Sequence, residues 1–151
     1  MAKTIDRDLH AFGGLSYDLP GQPLTEESAL NQLLELLSLG FDGLKILEGK
    51  PDRRKQLGMP LHSPLYDAVY GYCEAHAIPI LAHVGDSKSF WDPVACPPYA
   101  RKLGWYYGDG TYPTLDQLHS EMESALRRFP RLTIMFRAGT SAARTLTTPS
   151  A

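Results

Sequence analysis

The sequence predicts an α/β fold with about four mainly parallel strands and flanking helices. Short apolar stretches alternate with segments in which apolar residues recur at helical spacing. The connections between the apolar stretches are long enough for the right-handed crossovers that parallel strands require. The chain's 151 residues, 43% of them hydrophobic and 21% charged, suit one domain with a real core.

Ala11 to Tyr17 is apolar and glycine-rich, and predicts a short strand near 12–16 before a turn segment from Asp18 to Leu24. Thr25 then caps a helix over about 26–39, whose first turn carries Glu26 and Glu27 at the positive end of the dipole. Leu30, Leu33, Leu34 and Leu37 make its apolar stripe, and Gly40 stops it. A strand follows near 42–47, then a polar loop from Glu48 to His62. Ser63 and Pro64 open a second helix reaching about His76, with Leu65, Val69, Tyr72 and Cys73 on its buried side.

Ile78-Pro-Ile-Leu-Ala-His-Val84 reads as a buried strand, with Pro79 tolerable only near its start. From Gly85 to Pro113 no period is visible; the segment holds Trp91, Tyr99, Trp105, Tyr106, Tyr107 and two cis-capable prolines, Pro97 and Pro98, with room for a short helix. Connections of that length tend to be functional. Thr114 and Gln117 form a capping box for a helix over 115–128, ended by Pro130, and Leu132 to Phe136 is a last strand. From Arg137 the sequence has little to bury, so a frayed, disordered tail is expected over 138–151.

Lys and Arg number 15 against 17 Asp and Glu, for a net charge of −2, which does not suit a nucleic-acid partner. The one dense basic run, Lys50 to Lys55, is diluted by Pro51 and Asp52 and reads as a solvated face. No apolar run approaches the roughly 18 residues of a membrane span. The N-terminus meets charge at once and develops no signal-peptide core. Cys73 and Cys96 form no C-x-x-C pair, so neither a disulfide scaffold nor a zinc knuckle is indicated, and a cytoplasmic protein is expected.

His83 stands at the carboxyl end of the best strand, the edge where parallel α/β folds hold their ligands. A histidine there ligates a metal, shuttles a proton, bonds a substrate or donates to a loop carbonyl. Lys45 occupies the preceding strand, where an ammonium is costly unless it reaches a solvent-filled mouth or an anion; Glu48 offers a salt-bridge partner. Asp86 orients His83, binds a ligand or simply serves a turn after Gly85. His10, His62, His76 and His119 support no ligand pair. Trp91, Trp105, Tyr106 and Tyr107 either wall a pocket or cover a small core. Phosphate-loop, dinucleotide-binding, H-E-x-x-H and G-x-S-x-G motifs do not occur.

Four segments in order carry a resemblance: Gly-Phe-Asp-Gly-Leu-Lys-Ile (40–46), Ser-Pro-Leu-Tyr (63–66), Ile-Pro-Ile-Leu-Ala-His-Val-Gly (78–85) and Leu-Arg-Arg-Phe-Pro-Arg-Leu-Thr-Ile (126–134). Together they resemble the amidohydrolase-related branch of the metal-dependent amidohydrolase superfamily, TIM-barrel proteins that include aromatic-acid decarboxylases and lactone hydrolases. The resemblance implies a mononuclear site for a divalent metal, zinc or manganese, with His83 as a metal ligand and Lys45 in the pocket. It also implies a small-molecule substrate, and an amidohydrolase-like β/α domain over residues 1–137.

The chain departs from the family pattern at two places. It has no H-x-H, and Phe136-Arg137-Ala138-Gly139 stands where a further histidine is expected. A complete barrel needs about 250 residues, so the chain is expected to be a central slice of a partial barrel, as a truncated gene product would be. Two functions follow: a metal-dependent hydrolase or decarboxylase of a small carboxylic acid, with Lys45 and Asp86 as catalytic residues, or an inactive fragment. In either case the open sheet edges predict a homo-oligomer.

Overall fold

A computed structural model describes residues 9–17, 23–137 and 145–146. Four strands, β1 (Phe12–Gly14), β2 (Gly43–Gly49), β3 (Ile80–Val84) and β4 (Ile134–Arg137), lie side by side in that order and all run parallel. A two-residue strand, β5 (Thr145–Leu146), pairs antiparallel with the edge of β4. The rest of the stretch read as a tail lies outside the described residues, as do residues 18–22 of the expected turn.

Helix α1 (Glu26–Ser38) begins at a reciprocal capping box between Thr25 and Ser28 and buries Ala29 and Leu33. A single 3₁₀ turn over Pro64–Tyr66 leads into α3 (Asp67–Ala75), and α5 (Leu115–Arg128) starts where the Thr114 hydroxyl accepts from the Gln117 amide. These three helices cover one face of the sheet. Leu44, Ile46, Ile80, Ala82, Val84 and Ile134 point into that layer and are at most 4% exposed. Alternation therefore sends Lys45, Leu81 and His83 to the opposite face, which in a closed barrel is the lumen.

The expected polar loop after β2 is a correction. The strand runs on to Gly49, and Pro51–Leu57 forms α2. Pro51 sits at the first helical position, Asp52 complements the dipole there, Arg54 and Lys55 complement it at the other end, and Gly58 ends the helix at φ 63°. The run read as a solvated face is thus a helix with Pro51 buried and Arg54 in a buried ion pair with Glu121. The segment after β3 contains two short pieces, a 3₁₀ turn over Lys88–Trp91 and α4 (Pro98–Lys102). They enclose a second small core of Phe90, Cys96, Ala100 and Tyr107. No cis peptide bond occurs among the described residues, and no helix there is long and apolar enough to cross a membrane.

Candidate functional site

The carboxyl ends of β2 and β3 open into a cavity of about 680 Å³. Leu47, Lys50, Asp52 and Arg53 line it from the end of β2 and the first turn of α2. His83, Asp86, Ser87, Phe90, Tyr99 and Trp105 line it from β3 and the segment that follows.

Two glycines shape this mouth. At Gly49 a Cβ would stand 2.4 Å from the His83 carbonyl oxygen, so only glycine lets the bulged end of β2 lie this close to β3. Gly85 donates its amide to the Gly49 carbonyl at 2.9 Å and then takes φ +72°, which turns the chain back. That turn brings Asp86 to His83, with Oδ1 3.0 Å from Nε2. The side chains are 21% and 15% exposed, enough for a ligand to reach the ring while the pair stays partly desolvated. The other carboxylate oxygen, Oδ2, accepts from the buried Tyr107 hydroxyl at 2.9 Å. Burial, and next the Asp86 carboxylate beside it, push the Tyr107 phenol far above the ordinary tyrosine range, so the hydroxyl stays a donor.

The walls differ in chemistry. Lys50 Nζ lies 3.2 Å from Asp52 and 4.9 Å from the Trp105 ring, which stacks with Phe90 at 6.3 Å. One wall is thus cationic and the other aromatic. Of the aromatics noted in the sequence, Trp105 lines the cavity, Tyr106 lies under Arg101, and Trp91 donates from its indole to the Pro113 carbonyl.

Of the residues singled out in the sequence, the structure joins His83 to Asp86 and does not bring Lys45 to the cavity wall. Lys45 is in register with Leu81, on the lumen face two positions before His83. Glu48 turns the other way, into the helix layer, where it is 5% exposed beside the hydrogen-bonded Tyr17 and Tyr66 hydroxyls. Its expected role as a partner for Lys45 therefore gives way to a buried one, with Oε2 lacking a hydrogen-bond partner among the described residues. Lys50, Asp52 and Arg53 were missed as site residues, whereas Tyr107, read as a pocket wall or a core cover, is in the second core with its hydroxyl on Asp86. Pro51 and Gly58, a start and stop signal seven residues apart, would have shown the helix that carries the first three.

Residues 9–137 match the amidohydrolase family. The chain belongs to that family. Among solved structures, this amidohydrolase-family chain is similar to an uncharacterized TIM-barrel protein from Bordetella bronchiseptica, at 19% identity and a TM-score of 0.51. The alignment covers 88% of this chain and 36% of that one, so the chain spans about a third of the neighbour's length. The neighbour bears on fold alone, and its fold is the barrel of which four parallel strands are seen here. No curated protein matches the chain.

The amidohydrolase family is generally metal-dependent. A catalytic zinc takes about three protein ligands and keeps one open position. His83, with a carboxylate behind one ring nitrogen, fits one of those ligands. Among the described residues no group of three His, Cys, Asp or Glu side chains is placed to hold a metal ion, so the rest of a ligand set is not present there. At the position where a further family histidine was expected, β4 has Arg137, its backbone in register with His83.

Proposed function

We propose that the chain carries part of the active site of a metal-dependent hydrolase or decarboxylase, and that its substrate is a small carboxylic acid or a carbonyl derivative of one. The observation that supports this best is the His83–Asp86 pair at the mouth of the cavity, on the carboxyl edge of parallel strands. Lys50 and Arg53 on the facing wall supply positive charge for a substrate carboxylate, and Trp105 and Phe90 give its apolar part a flat surface. Asp86 holds His83 rather than meeting the substrate, and Lys45 contributes charge from the lumen face. A zinc or manganese ion would supply Lewis acidity, with His83 as the ligand contributed by this chain. A second copy facing the open lumen is the proposed partner, because Leu47 is 46% exposed there. Two buried free thiols, Cys73 and Cys96, support a reducing, cytoplasmic setting.

The test is turnover of a panel of small carboxylic acids, esters and lactones by the full chain supplied with zinc or manganese, alongside sedimentation to read its assembly. Activity is expected to be lost in H83A, and KM to rise about tenfold in K50A, the loss of one charge-assisted hydrogen bond. Turnover that survives H83A undiminished would defeat the proposal.

A further inference from the structure

Tyr107 does not line the cavity. Its ring is 1% exposed in the second core, 5.0 Å from Trp91 and 4.9 Å from Tyr112, and its amide donates to the Phe90 carbonyl at 2.8 Å. Only the hydroxyl leaves that core, to reach Asp86 Oδ2. An ionised carboxylate offers acceptors alone, so both of its neighbours must donate: the Tyr107 hydroxyl on one side and an N–H at His83 Nε2 on the other. In a neutral imidazole with its proton on Nε2, the lone pair is on Nδ1. Nδ1 has no hydrogen-bond partner among the described residues.

We propose that Tyr107 is a positioning residue: by tying down one oxygen of Asp86 it aims the other at His83 Nε2, which locks His83 in the Nε2–H tautomer and leaves Nδ1 as the working lone pair. Without the phenol hydroxyl, Asp86 keeps a single anchor and its carboxylate is free to rotate away from the ring. The lone pair on Nδ1 is what either a proton or a metal would need, so the lock serves acid–base and ligand roles alike. The inference rests on reading His83 as the histidine of the site. It extends that reading to a residue 21 positions from Asp86 and in a different core.

The test is a long-range ¹H–¹⁵N correlation of the full ¹⁵N-labelled chain at about pH 8, with His83 assigned by its loss in H83Q. The parent is expected to show His83 as one tautomer, Nε2–H, with the exposed His119 in the same spectrum as the comparison. Y107F keeps the ring packing and is expected to move His83 to a mixture of the two tautomers, with the unfolding midpoint recorded to show that the second core is retained. D86N tests the link from the other end, since its amide accepts at only one atom, and is expected to lose the single tautomer as well.

A parent in the Nδ1–H form or already mixed would overturn the inference, as would a Y107F or D86N spectrum identical to the parent's. Because the readout is independent of turnover, a locked tautomer in an inactive protein would count against the proposed function and leave this inference standing. A mixed tautomer in an active protein would do the reverse.

Discussion

Replacing Glu121 with alanine is expected to be the most damaging single change outside the apolar core. Arg54 donates three times to its carboxylate, from Nε at 3.2 and 3.0 Å and from a terminal nitrogen at 2.9 Å, and the Leu61 amide donates to the same group at 3.1 Å. The two charged side chains are 14% and 7% exposed, so the alanine variant leaves a guanidinium largely out of water with nothing opposite it. Breaking a buried pair from one side costs about 3–5 kcal/mol, and an orphaned amide about 1–3 kcal/mol. Both losses follow from one carboxylate and overlap, so about 4 kcal/mol is expected, out of a total stability of about 5–15 kcal/mol. At about 2–4 °C per kcal/mol for a chain of this size, the midpoint should fall by about 8–16 °C. Urea unfolding of E121A, R54M and the double variant R54M/E121L reads this directly. The double variant removes both charges and should recover most of the loss, short of the Leu61 amide. A loss below about 1 kcal/mol in E121A would mean that the pair behaves like a surface ion pair. A double variant as unstable as E121A would mean that shape, not charge, holds α2 to α5; either result refutes the reasoning.

Two further outcomes follow from buried groups near the site. Burial pushes the Glu48 carboxyl above the ordinary value of 4.5, despite the opposing pull of Tyr17, backbone amides and Arg53. The native state then holds its proton to higher pH than the unfolded chain does, so Glu48's contribution to stability is full below the ordinary value and is lost as pH rises through the native one. E48Q should therefore gain on the parent between acid and neutral pH in parallel urea titrations, and an E48Q stability that falls relative to the parent's over that interval would contradict the sign. G49A should cost about 1–3 kcal/mol by overpacking, because its Cβ would meet the His83 carbonyl oxygen at 2.4 Å. An unchanged urea midpoint in G49A would show that the two strand ends are not held at that separation.

Much of the architecture was legible because burial and capping act locally. The leucine stripe of α1 and the Thr114 start of α5 each state their own element, and the predicted 115–128 agrees with Leu115–Arg128. Helix α2 was not legible by period, since Pro-Asp-Arg-Arg-Lys-Gln-Leu offers one buried residue, Pro51; what holds it is Arg54 meeting Glu121, 67 positions later. The segment after β3 failed for a related reason. Helical pieces of four and five residues are too short to show a period, and their core forms only when Phe90 and Tyr107 come together from 17 positions apart. At the site, Asp86 was legible beside His83 because a glycine turn makes the contact local, whereas Tyr107 reaches it from the second core.

The two faces of the sheet explain why fold and function were readable to such different degrees. Leu44, Ile46, Ile80, Ala82 and Val84 face the helices, and the hydrophobic effect alone requires residues of that kind there. Lys45, Leu81 and His83 are interleaved with them on the face that the helices leave open, and no core requirement selects a lysine or a histidine at those positions. What the alternation does dictate is that they share a side, and the Gly85 turn then adds Asp86 at the same edge. Their chemistry was therefore read from position at a strand end and from family resemblance, not from packing. The helix layer covers one face, while the other keeps Leu47 exposed and leaves His83 Nδ1 without a hydrogen-bond partner among the described residues, so a ligand of His83 would approach over that face.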